Sequence, residues 1–180
     1  MSEDRSKIAN QVEEIKNKAT AALAKQINFY GLNLSESRLF SLMFLEDSPM
    51  TLDEMSGQLG MSKTSMSTGI HSLQDAKMVE QTWRKGVRKD LYKAEENLYS
   101  SFSNTYLEKW FSVIGNNKKI FNSISRDIAT LLDKVEEDDL RQSLVSYSLK
   151  IGEVLQFYTW LESMFRDMRD SIDKMDFERD

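Results

Sequence analysis

The amino-acid sequence predicts a mainly α-helical protein carrying one small β-hairpin, and three observations support that class. Apolar residues recur at steps of three and four along most of the chain, the spacing that lines one face of a helix. One segment, Gln81–Trp83 and Val87–Tyr92 on either side of Arg84-Lys85-Gly86, breaks this pattern and suits a two-stranded ribbon. The tail, from Leu140 to Met175, alternates steps of four and three through eleven apolar or aromatic positions, a narrow seam for a partner helix.

The elements follow in order. A first helix is expected from about Asp4 to Tyr30, striped by Ile8, Val12, Ile15, Ala19, Leu23 and Ile27, with Gly31 as its stop. Ser35 is expected to cap a second helix whose apolar face includes Leu39, Leu42, Met43 and Leu45, ended by Asp47-Ser48-Pro49. Thr51 with Glu54 three residues later forms a capping box, opening a third helix on Leu52, Met55 and Leu59. Gly60 supplies the left-handed turn that ends it, and Ser62 caps a fourth helix whose core face is Met66, Ile70 and Leu73. The opposite face carries Lys63, Thr64, Ser67, Thr68 and His71. Helix, tight turn, helix and hairpin in that order outline a winged helix-turn-helix flanked by long N- and C-terminal helices; the C-terminal seam fits another helix of this chain or the same helix of a second subunit, and a dimer is expected. Beyond Lys93 only helix is expected, over about Glu95–Ile114, Asn116–Val135 and Asp138–Lys174. The implied division is a packing and dimerisation helix at 1–34, the winged head at 35–94, and a helical sensing and dimerisation region at 95–180.

Charge is distributed unevenly. Residues 1–60 hold six basic and nine acidic side chains, residues 61–93 hold seven and three, and residues 94–180 hold eleven and seventeen. A chain of net charge −5 thus gathers its positive charge into one short block, and five of that block's cations (Arg84, Lys85, Arg88, Lys89, Lys93) lie on the hairpin. Phosphate contact requires such a local patch, and the second helix of such a head reads base edges in the major groove. Double-stranded DNA therefore leads the partner list. Lys63, Thr64, Ser67, Thr68 and His71 are the candidate groove residues, with Ser62 a further DNA-binding candidate and Arg84, Lys85, Arg88 and Lys89 on the backbone or minor groove. The rival is a winged-helix and coiled-coil module that binds only protein, since the fold alone does not settle function.

Composition removes other classes. With one histidine and no cysteine, disulfides, thiolate metal sites and Cys-His catalysis are unavailable. No phosphate-cradling glycine motif occurs, so an enzyme is not expected, nor a cofactor. The run Glu136-Glu137-Asp138-Asp139 reads as a helix start, where acidic groups oppose the positive end of the helix dipole. There is no apolar run of membrane-spanning length and no signal-peptide core, so a cytoplasmic protein is expected.

The distal half is rich in aromatics: Tyr99, Phe102, Tyr106, Trp110 and Phe111, then Phe157, Tyr158, Trp160 and Phe165. Phe102, Tyr106 and Trp110 stand four apart and share a face. These rings either fill a helical core or enclose a small molecule; ring faces attract desolvated cations, quaternary ammonium groups above all.

The 51–93 block resembles the reading head of the MarR superfamily of bacterial transcription regulators. Through LGMSKTSMSTGIHSLQDAKMVEQTW, the wing Trp83-Arg84-Lys85-Gly86-Val87-Arg88-Lys89-Asp90 with Tyr92, and the long helical tail, the chain is most similar to the GbsR-type branch. The resemblance implies a dimer paired through the chain ends. It also implies a repressor of genes for choline uptake and conversion to glycine betaine, with choline as effector in an aromatic-lined inter-domain pocket. Tyr106, Trp110, Phe111, Phe157 and Trp160 are the ligand candidates. Thr68 stands where many relatives carry arginine, and Lys77 where glycine is frequent, which leaves base reading to smaller groups.

Overall fold

A computed structural model describes residues 2–176. The chain runs α1 (Ser2–Asn28), α2 (Leu34–Glu46), α3 (Leu52–Leu59), α4 (Lys63–Asp75), β1 (Val79–Thr82), β2 (Leu91–Ala94), α5 (Leu98–Phe102), a π-helical turn (Ser103–Leu107), α6 (Glu108–Leu132) and α7 (Asp138–Asp176). It is mainly helical with one two-stranded antiparallel sheet, the winged helix-turn-helix class the sequence predicts. Internal packing gathers it into two units, Met1–Tyr106 and Leu107–Asp180.

In the first unit the caps do much of the local work. The α3 capping box forms as expected, Thr51 accepting from the Glu54 amide while Glu54 accepts from the Thr51 amide. Gly60 ends α3 at φ 65°, and Ser62 caps α4. The α2 cap differs from expectation: Asn33, not Ser35, accepts from the Glu36 amide, and Glu36 returns the bond. The Asn-x-x-Glu spacing closes a reciprocal box, and that places Ser35 inside the helix. Lys77, at φ 56°, ends α4 in the left-handed position that glycine usually fills. The Met78 amide donates to the Leu73 carbonyl and the Lys77 amide to that of Gln74, which together make a Schellman motif. The same bonds place Met78 and Val79 at the start of the hairpin.

The core is built from Leu39, Phe40 and Met43 of α2, Met55 of α3 and Met66, Ile70 and Leu73 of α4, all essentially inaccessible. Phe40 is buried although it stands outside the expected apolar face, and Leu45, expected inside, is exposed. At Gly69 an added Cβ would lie 2.9 Å from Leu39 Cδ2, so the missing side chain lets α4 close on α2.

The hairpin also differs. Its ladder pairs Val79–Thr82 with Leu91–Ala94, leaving the wing tip as a loop from Trp83 to Asp90 rather than strand up to a three-residue turn. Met50 and Tyr92 exchange backbone bonds of 2.8 and 2.9 Å, a stub of third strand that ties the segment before α3 to the wing.

In the second unit α6 and α7 form an antiparallel hairpin. Asn117 Nδ2 donates to the Tyr158 hydroxyl at 2.8 Å, and the Lys118–Glu162 and Arg169–Glu108 pairs close at 2.7 Å each. The Lys118 ammonium, half-buried beside it, holds the Glu162 carboxyl below its ordinary pKa. The expected break near Gly115 is absent: α6 runs straight through it, since one glycine costs a helix interior only about 1 kcal/mol. The irregularity falls at Ser103–Leu107 instead. On α7, Ile151, Leu161, Phe165 and Ile172 of the heptad seam are buried, while Leu140, Tyr147 and Met175 stay exposed. On α1, Ile27 is buried, but Ile8, Val12 and Ile15 are exposed. No helix among the described residues is long and apolar enough to cross a membrane.

Candidate nucleic-acid interface

Burying Met66, Gly69, Ile70 and Leu73 turns the other side of α4 outward. Lys63, Thr64, Thr68 and His71 are exposed there, and Ser67 is half-buried. These are the residues the sequence singled out for that face. Two are already engaged within the helix: Ser62 caps it, accepting from the Ser65 amide at 3.1 Å, and Thr68 Oγ1 donates to the Thr64 carbonyl at 3.1 Å. The latter bond fixes the Thr68 rotamer and leaves its methyl group and a lone pair outward.

Arg84, Lys85, Arg88 and Lys89 all lie in the exposed loop between β1 and β2. The Val87 amide donates to the Arg84 carbonyl at 3.1 Å, and Gly86 sits at φ 87°. A type II turn requires such a positive φ at its third residue. Arg84, Lys85 and Arg88 have no acidic partner among the described residues, so their charge is available to an external anion.

Sequence reasoning missed Asp53. From the first turn of α3 its carboxylate reaches Lys63 Nζ at 2.8 Å and Lys89 Nζ at 2.7 Å, bridging the start of α4 to the wing. The two ammonium groups hold it well below the usual carboxylate range, at about 2, and Lys89 is raised in turn by the hydrogen bond it donates to Asp53. A depressed carboxylate stabilises the fold above its unfolded pKa, and that contribution goes as the pH falls through the folded value. The bridge's contribution is therefore expected to be complete above about pH 4 and to be lost as the pH falls from there toward 2. Asp53 also offsets two cations on this face. Replacing it with asparagine is expected to tighten binding to any duplex several-fold at low salt, with little change near physiological ionic strength; a filter-binding salt series measures both.

The aromatic candidates fall into separate groups. Tyr106 belongs to the first unit, stacked on Phe102 with ring centroids 5.1 Å apart and tilted against Tyr30 at 6.2 Å. In the second unit, Trp110 and Phe111 both meet Phe165, at 5.4 and 6.4 Å. The Arg169 guanidinium lies 4.3 Å from the Phe111 ring centre, so that face already holds a cation. Phe157 and Trp160 pair at 5.9 Å on an exposed part of α7.

Two curated proteins of Bacillus subtilis (strain 168) are similar over most of this chain. The HTH-type transcriptional repressor OpcR is 31% identical over 143 residues, covering 79% of this chain and 77% of its own. The HTH-type transcriptional repressor GbsR is 31% identical over 157 residues, covering 85% of each. The chain belongs to the GbsR family. A family model described as the GbsR family transcriptional regulator, C-terminal helical hairpin, matches residues 98–171, the stretch that forms α5 to α7. The protein is thus a transcriptional regulator and not an enzyme. A solved transcriptional regulator superposes with a TM-score of 0.58 over 89% of this chain and 97% of its own, at 12% identity, a likeness of fold alone.

Within this regulator, then, the charged face lies on the winged unit, and all five aromatic candidates fall in the stretch that the family model matches, four of them on α6 and α7. The Asp53 bridge joins residues far apart in sequence, which no local pattern announces. Only the first-turn placement of an acidic residue, ahead of a basic helix start, hints at it.

Proposed function

We propose that this regulator is a homodimeric repressor that binds double-stranded operator DNA. On this reading α4 enters the major groove with Lys63, Thr64, Ser67, Thr68 and His71, while Ser62 and the wing cations Arg84, Lys85, Arg88 and Lys89 hold phosphates or the minor groove. One observation carries it: in an acidic chain the unpaired cations of the wing share one winged unit with the outward face of α4. A pure protein-interaction module has no need of that arrangement. Residues 35–94 are the reading head, and residues 1–34 and 95–180 serve dimerisation, the latter also sensing. Members named repressors among the relatives support the direction of control.

The effector proposed is choline, with Trp110, Phe111, Phe157 and Trp160 of the second unit and Tyr106 of the first as the candidate rings. The aromatic surplus supports it, because a quaternary ammonium binds ring faces without hydrogen bonds. Its genes of action would be those for choline uptake and glycine betaine synthesis. Choline then shifts occupancy only as far as it favours one head spacing over another.

The test is a DNA-binding titration on the region upstream of the regulator's own gene, with and without choline. Replacing Arg88 and Lys89 with alanine is expected to weaken binding to all sequences by at least about tenfold. It should also lower the slope of log K against log salt by about two. Arg88 contributes more than Lys89, which must first leave Asp53. Unchanged affinity in the double variant sinks the wing assignment, and operator occupancy indifferent to choline sinks the effector.

A further inference from the structure

We propose that Trp83 is a minor-groove reader: the wing tip lays its indole along the groove wall and aims the ring N–H at the acceptors of A·T pairs. The proposal rests on the DNA-binding reading above and adds a specificity-determining residue to it.

Trp83 is 77% exposed, and its ring makes no aromatic contact and no hydrogen bond among the described residues. An indole left in water forgoes the burial that its large apolar surface would gain. Its position is fixed all the same. It follows directly on Thr82, the last residue of β1, whose ladder partner is Leu91. It precedes the turn closed by the Val87 amide on the Arg84 carbonyl. Strand on one side and turn on the other hold the Trp83 backbone within the wing, with the indole left exposed.

Its neighbours indicate what covers it. Arg84, Lys85 and Arg88 stand in the same loop, exposed and without acidic partners among the described residues. The one carboxylate of the loop, Asp90, is drawn back onto the ribbon by Gln81 Nε2 at 3.0 Å. An exposed apolar plate in one loop with free cations is complementary to a surface that is apolar inside and anionic at its edges. The minor groove has that character: deoxyribose walls, phosphate rims, and on its floor the A N3 and T O2 acceptors. The indole is a donor only, so it matches an A·T floor, whereas the guanine N2 amino group presents a second donor and projects into the ring's path. Protein surfaces offer no comparable density of anions around an apolar strip.

The test uses the full chain and three duplexes, poly(dA-dT), poly(dI-dC) and poly(dG-dC). Inosine lacks the guanine amino group, so I·C keeps the major-groove edge of G·C while its minor groove resembles that of A·T. Wild type is expected to bind the first two roughly tenfold more tightly than the third. Trp83→Ala should lose that preference with its salt slope unchanged, since no phosphate contact is removed. Trp83→Phe, which keeps a ring but loses the N–H, should keep part of the affinity and only part of the preference. The tryptophan emission of wild type minus that of Trp83→Phe should change on adding poly(dA-dT). Equal preference in wild type and Trp83→Ala, or an emission difference indifferent to DNA, overturns the proposal. An emission difference that follows protein concentration rather than DNA overturns it too, in favour of self-association. Failure of wild type to bind any duplex at low salt overturns the DNA reading itself, a separate result.

Discussion

Replacing Phe40 with alanine is expected to destabilise the winged unit by about 3–5 kcal/mol. Phe40 is inaccessible in the middle of α2 and stacks on Phe44 with centroids 6.0 Å apart. Helix α2 is packed by α1, α3, α4 and β2, so no flank is free to collapse into the cavity that the missing ring leaves. The transfer term and the cavity term therefore add. Phe40→Leu keeps most of the volume and is expected to cost much less, on the order of 1 kcal/mol. Urea denaturation followed by circular dichroism measures both; equal losses in the two variants would mean that ring shape, not volume, is what the site requires. The loss should leave the hairpin of α6 and α7 largely helical, because that unit has its own buried residues.

The second large effect is on assembly. Ile8, Val12 and Ile15 stand on one stripe of α1 and are 57%, 48% and 66% exposed. Three large aliphatic groups at helical spacing are what a partner helix covers in the proposed dimer. Changing all three to aspartate is expected to convert the dimer to monomer while the protomer stays folded, since none of them contributes to its core. A single head then binds without its tethered twin, and affinity for a two-half-site operator should fall by about 10²-fold or more. Sedimentation velocity and a titration on full and half operators test this together. A triple variant that remains dimeric, but dissociates when Leu140 and Tyr147 are charged instead, would move the interface to α7.

Legibility in the sequence followed the range of the interaction. The α3 capping box, the Gly60 turn and the Ser62 cap each depend on side chains within a few residues, and they form where the residue types require them. The α4 core face was equally plain, because Met66, Ile70 and Leu73 repeat at helical spacing. The cap of α2 falls on Asn33 rather than on the expected Ser35, because only Asn33 stands three residues before Glu36 and can close the reciprocal bond. Phe40 was hidden for a different reason. A helix packed on several sides loses the one-sided stripe that periodicity detects.

Failures at the wing and beyond it have the same origin. Alternating residues up to Trp83 read as strand, yet the ladder stops at Thr82, and Met50 pairs with Tyr92 from elsewhere in the chain. Gly115 was read as a break, though α6 runs through it with no side chain to accommodate.

By itself the sequence determined the class of fold, the outward face of α4, the cationic wing and the kinship with GbsR-family regulators. Each is set by local spacing, local composition or the order of residues. Tertiary structure alone decided which apolar stripes are left uncovered, that Asp53 bridges Lys63 to Lys89, and that Trp83 stands bare among unpaired cations. The Asp53 bridge joins segments distant along the chain, and the apolar stripes and Trp83 stay bare because the closing of the core brings no other segment onto them.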